Sequence, residues 1–137
     1  MSISRHPFSP DPSVPLPAKP PSHFISSRVA ESSGSIRLVL AGELDLAARH
    51  HFETDLDQAQ RDSERVLLDL RALSLIDCSC LATLFHAARR ARREGAALIL
   101  LGPCDQVRRV LDLVGPPPEV AVLDPGDLLE QRASVAA

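Results

Sequence analysis

Two short runs set the limits on how this chain can fold. Arg65-Val66-Leu67-Leu68-Asp69-Leu70 is dense in β-type residues, and Ala97-Leu98-Ile99-Leu100-Leu101 is wholly apolar. Neither approaches the roughly 20 apolar residues of a membrane span. Both lack the alternation of a strand with one wet face, so each reads as a central strand buried on both sides. Strands of that kind belong to parallel sheets whose neighbours are joined by helices, which makes the chain α/β.

The flanking segments supply the remaining elements. Phe24 to Ala30 reads as an edge strand, and Glu31-Ser32-Ser33-Gly34 as a hairpin turn. Ser35 to Ala41 alternates as a strand that Gly42 should break. Asp45 suits the N-cap of a helix over Leu46 to Gln60, with Phe52, Leu56 and Ala59 as its apolar stripe. A second helix is expected from Ser79 to Glu94. It places Cys80, Leu84, Ala87, Ala88 and Ala91 on one side and Thr83, His86, Arg90 and Arg93 on the other. Asp105 to Val114 reads as a third helix ended by Gly115 and three prolines, and Val120 to Leu123 as a last strand. The order ββαβαβαβ implies crossover connections and a mostly parallel sheet.

Composition narrows the function. The chain has 137 residues, enough for one domain. Seven of its 12 prolines fall in the first 21 residues. Residues 1–23 therefore read as a disordered or extended arm, 24–124 as the domain and 125–137 as a flexible tail. A net charge of −3 gives no electrostatic case for nucleic acid, and four Phe with no Trp or Tyr make no base-stacking platform. The N-terminus lacks the apolar stretch of a signal peptide, and three cysteines do not build a disulfide framework, so a cytoplasmic, reduced protein is expected. No glycine-rich phosphate loop, metal triad or nucleophile–base pair is visible. The chain is expected to need no cofactor and to catalyse nothing itself.

The stretch after the first dense run carries the chemistry. The strand is expected to leave through a short loop into Asp77-Cys78-Ser79-Cys80, where a helix begins. A serine hydroxyl there meets backbone N–H groups and a helix dipole that favour a negative group. A phosphoryl group on Ser79 would add roughly −1.5 to −2 charges, enough to break a protein contact. Ser79 has a plainer role as a helix N-cap, and the two roles are compatible. Asp77 is a second cap for the same helix, or a carboxylate that orients the hydroxyl. Cys78 and Cys80 are one residue apart, not the two of a zinc or thioredoxin motif, so they read as small buried hydrophobes rather than metal ligands. A redox role for Cys78 beside Ser79 stays open. Arg89-Arg90-Ala91-Arg92-Arg93 reads as a solvated helix face, with an acidic partner surface as the alternative. His50 and His51 adjoin on a helix and point different ways, both at the surface.

Five segments in order carry a resemblance. Gly42-Glu43-Leu44-Asp45, Leu67-Leu68-Asp69-Leu70, Ile76-Asp77-Cys78-Ser79, Leu98-Ile99-Leu100-Leu101-Gly102 and Val107-Arg108-Arg109-Val110-Leu111 follow one another as in STAS domains. These are the anti-sigma-factor antagonists of bacterial partner switching. The resemblance covers roughly Ile36 to Leu123. It implies a mixed, mostly parallel sheet packed against helices on one side. It also implies an anti-sigma factor serine kinase as partner and a phosphatase that resets the switch. In the family's Asp-Ser-Ser-Gly-Leu motif, Asp77 matches the Asp, Cys78 the first Ser and Ser79 the phosphoacceptor. Cys80 stands where the family usually has Gly, and a side chain there is expected to weaken docking or slow phosphorylation. Asp45 matches an acidic residue near the acceptor.

The resulting expectation is an antagonist, monomer or weak dimer, that captures an anti-sigma kinase through Ala82, Thr83 and His86 and is released when Ser79 is phosphorylated. The alternative is a STAS module that is not switched, a constitutive antagonist or a scaffold piece. A two-component receiver is a further reading of Val66 to Arg71. It lacks the acidic pair after the first strand and a late-strand lysine, since the only lysine is Lys19.

Overall fold

The computed structural model describes residues 23–126. Most of the expected proline arm and tail lie outside the described residues. The elements are β1 (Ile25–Ala30), β2 (Ile36–Leu44), α1 (Arg49–Asp62), β3 (Arg65–Ile76), α2 (Cys78–Arg93), β4 (Ala97–Leu101), α3 (Asp105–Val114) and β5 (Ala121–Leu123). They form one five-stranded sheet in the order β1-β2-β3-β4-β5. Only the β1–β2 hairpin is antiparallel, and the other three pairs are parallel. This is the mixed, mostly parallel α/β sheet expected.

The core lies between the sheet and the helices. Leu38, Leu40, Leu68, Leu70 and Leu100 point to it from the strands, and Phe52, Leu56, Leu84, Ala88, Val107 and Leu111 from the helices. Val66 to Leu70 is buried throughout, as a two-faced central strand should be. On the face away from the core cluster, Asp69 is 2% exposed. Arg71 donates to it at 2.9 and 2.6 Å, and Arg37 at 3.2 Å. Burial pushes the Asp69 carboxyl up, but hydrogen bonds from Arg71, its backbone N–H included, and from Arg37 outweigh that and hold it below the usual carboxylate range.

Three boundaries differ from the sequence reading by more than two residues. Gly42 does not break β2. It carries the strand through at φ +91°, where the backbone of His23 passes too close for any Cβ. The stretch expected as a short loop, Arg71 to Ile76, is strand. β3 carries two extra residues against β2, one between the Val39 and Ala41 pairings and one between Gly42 and Glu43. Such bulges reset the period-2 pattern, which hides the strand from periodicity. Helix α1 starts at Arg49 rather than Leu46. Asp45 closes a turn first, its carbonyl and carboxylate accepting from the Ala48 N–H at 3.0 and 3.2 Å, and Ala48 is the N-cap.

Candidate functional site

The two bulged strands end side by side, which sets the β2–α1 turn against the start of α2. The Asp77 N–H donates to the Leu44 carbonyl at 3.0 Å, and the Cys80 thiol donates to the Asp45 carbonyl at 3.4 Å. Asp45 thus reaches the acceptor region through its backbone, while its carboxylate serves its own turn. Of the two caps considered for α2, Asp77 takes the place. Its backbone is extended, and its Oδ1 accepts from the Cys80 N–H at 2.9 Å. Ser79 sits inside the first turn and donates its hydroxyl to the same Oδ1 at 2.8 Å. Burial pushes the Asp77 carboxyl up, but the N–H of Cys80 and the hydroxyl of Ser79 more than offset it, so the carboxyl lies below its usual range.

The cysteines divide. Cys80 is fully buried in the core, and burial, then the Asp77 carboxylate, push its thiol up to about 12. Its side chain turns inward, away from the surface around Ser79. Cys78, expected to be buried, is exposed because it falls on the outer side of the first helical turn. Cys104 is half-buried and donates to the Leu73 carbonyl at 3.3 Å. Among the described residues no group of His, Cys, Asp and Glu is placed to hold a metal ion. None of their helices is long and apolar enough to cross a membrane.

Ser79 opens onto a groove of about 690 Å³ between α1 and α2. Ala82, Thr83 and His86 line it with Ser79, so the structure brings these four together on one wall. Thr83 Oγ1 lies 3.2 Å from the Ser79 carbonyl and 3.3 Å from Glu53 Oε1, bridging the two helices. The opposite wall is α1, through Arg49, His50, Glu53, Thr54 and Asp57. The sequence reading missed this wall. His50, Glu53, Thr54 and Asp57 recur at helical spacing opposite Phe52, Leu56 and Ala59, a legible polar face. The neighbour that this face meets was not legible. His51 points elsewhere, with Phe24 edge-on at 5.6 Å and Asp55 at 3.0 Å.

The sequence matches a family model described as "Mlab, STAS domain" over residues 27–116. The chain belongs to the STAS domain family. The anti-sigma-F factor antagonist RsfA of Mycobacterium tuberculosis is 25% identical to it over 99 residues, 70% of this chain and 77% of that protein. Among solved structures, an anti-sigma factor antagonist from Mycobacterium paratuberculosis superposes with a TM-score of 0.70 at 18% identity. That match covers 81% of this chain and 95% of that one. The unphosphorylated form of the anti-sigma factor antagonist SpoIIAA gives 0.65 at 19% identity, covering 80% and 97%. At these identities the structural matches establish the fold of this STAS domain.

Proposed function

We propose that this STAS domain is a cytoplasmic anti-sigma factor antagonist. Unphosphorylated, it binds an anti-sigma serine kinase along the α1–α2 groove and thereby frees a sigma factor. The kinase passes the γ-phosphoryl group of ATP to Ser79. The bond from phosphorus to the ADP oxygen breaks, a bond to Ser79 Oγ forms, and the hydroxyl proton leaves to solvent. A phosphatase hydrolyses the ester and resets the cycle. The domain contributes no catalysis.

One observation carries this reading. Ser79 is half-buried in the first turn of α2, is held by Asp77 at 2.8 Å and faces the groove that Thr83 and His86 line. A dianion formed there lies next to the Asp77 carboxylate and loses the hydroxyl donor that Asp77 now accepts. It also brings charge into a contact the partner must desolvate. The name of the mycobacterial relative supports the antagonist part of this reading.

The unswitched alternative draws on Cys80 at the usual glycine position. The inward turn of that side chain weakens its claim, because the thiol adds no bulk to the surface around Ser79. Intact-mass analysis after incubation with ATP and an anti-sigma kinase of the same genome decides between them. A phosphate on the unsubstituted chain that Ser79→Ala lacks is the expected result. A kinase that binds both chains and phosphorylates neither would leave a constitutive antagonist.

A further inference from the structure

The four arginines of α2 are not equivalent. Arg90 turns toward α1, where it meets Asp57 at 3.2 Å. Arg89, Arg92 and Arg93 are exposed and have no carboxylate partner among the described residues. The neighbouring helix cannot neutralise them, because its acids are engaged. Glu53 pairs with Arg49, Asp55 with His51, Asp57 with Arg61 and Arg90, and Asp62 with Arg28. The helix dipole accounts for cations in the last turn, but its field fades within that turn and does not reach Arg89. The fold therefore leaves three arginines without an ion pair among the described residues on one end of one helix, in a chain whose net charge is −3.

Their position relative to Ser79 gives this patch its meaning. At about 1.5 Å of rise per residue, Arg89 lies about 15 Å and Arg93 about 21 Å along the axis from Ser79. Ala82, Thr83 and His86 lie between. The exposed side chains of α2 thus include no acid or arginine from Cys78 to His86, and three arginines from Arg89 to Arg93.

We propose that Arg89, Arg92 and Arg93 capture an acidic patch on the anti-sigma partner, as a second contact separate from the one that Ser79 controls. This rests on the reading that the kinase docks along the α1–α2 groove, whose α2 wall runs on toward these arginines. A local acidic patch on a protein suits a short basic face on an acidic domain. An extended polyanion such as a duplex or an anionic bilayer meets the repulsion of the rest of the chain. Complementary charge of this kind acts chiefly on the association rate. The Debye length is about 8 Å at physiological salt, so a phosphate about 15 Å away barely weakens the arginines. Phosphorylation then speeds release and leaves capture intact.

The test measures association and dissociation rates of the full chain on an immobilised anti-sigma kinase of the same genome, at low and high salt. Replacing all three arginines (Arg89→Gln, Arg92→Gln, Arg93→Gln) is expected to slow association about tenfold at low salt and flatten its salt dependence. Dissociation should stay within about twofold. Ser79→Glu is expected to do the opposite, raising dissociation while the salt dependence of association persists. The single change Arg89→Glu should act like the triple one and serves if the triple variant melts early. Unchanged association in the arginine variants, with the kinase still bound, overturns the inference and spares the antagonist reading. The inference fails in the same way if those variants lose binding to phosphatidylglycerol vesicles or duplex DNA and keep the kinase. A kinase that ignores even the unsubstituted chain overturns the antagonist reading, and this inference with it.

Discussion

One carboxylate oxygen, Oδ1 of Asp77, accepts both the Cys80 N–H that starts α2 and the hydroxyl of Ser79. Removing it should therefore loosen the helix start and free the serine together. Asp77→Ala is expected to cost about 1 kcal/mol, read as a shift in the denaturation midpoint, whereas Asp77→Asn keeps most of the cap. The two also differ in pH dependence. The Asp77 carboxyl is lowered in the folded state, so its contribution is fully present above the ordinary carboxyl range. It is lost as pH falls through the lowered folded value. Asp77→Asn should therefore lose less stability than the unsubstituted chain as pH falls from about 4, the ordinary carboxyl value, through the lowered folded value. The cysteines give a second check at this scale. Cys80, buried and raised to about 12, should resist a thiol reagent at neutral pH, while the exposed Cys78 reacts at once. Peptide mapping after brief labelling of the native chain reads this directly. Early labelling of Cys80 would mean that the start of α2 opens far more readily than its packing implies.

Among the elements, legibility followed the strength of the repeating pattern. The buried positions of α2, the apolar run of β4 and the α3 segment were readable because periodicity and composition agree there. The ends of β2 and β3 were not readable, because two bulges shift the alternation after Leu70 and a positive-φ glycine looks like a stop. The start of α1 was misplaced because Asp45 can close a turn as well as cap a helix. These misplaced boundaries lie where the strands hand over to α1 and α2, which is where the site is built. Gly42 offers the sharpest test. A Cβ there would come within 1.4 Å of the His23 carbonyl oxygen, at a φ that other residues avoid. Gly42→Ala is expected to cost at least about 2 kcal/mol, measured by chemical denaturation. A near-neutral result would mean that the chain ahead of β1 gives way without disturbing the sheet.

For the whole molecule, the fold makes one surface out of segments far apart in sequence. Ser79, Ala82, Thr83 and His86 were legible as one helix face, but the facing wall from Arg49 to Asp57 exists only once α1 and α2 lie side by side. That arrangement allows stability and binding to be separated. Thr83→Glu and His86→Glu put a carboxylate into the groove and should weaken the kinase complex, and the change at the exposed His86 should hold folding within about 0.5 kcal/mol, the usual range for surface changes. Ser79→Glu is the more telling variant. A negative group in the first turn is favoured by the helix dipole, and the lost hydroxyl bond and the nearby Asp77 carboxylate oppose that gain. The two effects largely cancel, so the melting temperature should move by no more than about 5 °C, equivalent to about 1 kcal/mol in a domain of this size. Affinity for the kinase should nevertheless fall about a hundredfold, or about 2.7 kcal/mol, because the charge enters a contact that must shed its water. Thermal melts and binding titrations on one preparation make the comparison. Affinity and melting temperature falling in step would trace the loss to a damaged helix start. Affinity falling alone is what a charge switch built on a stable fold requires.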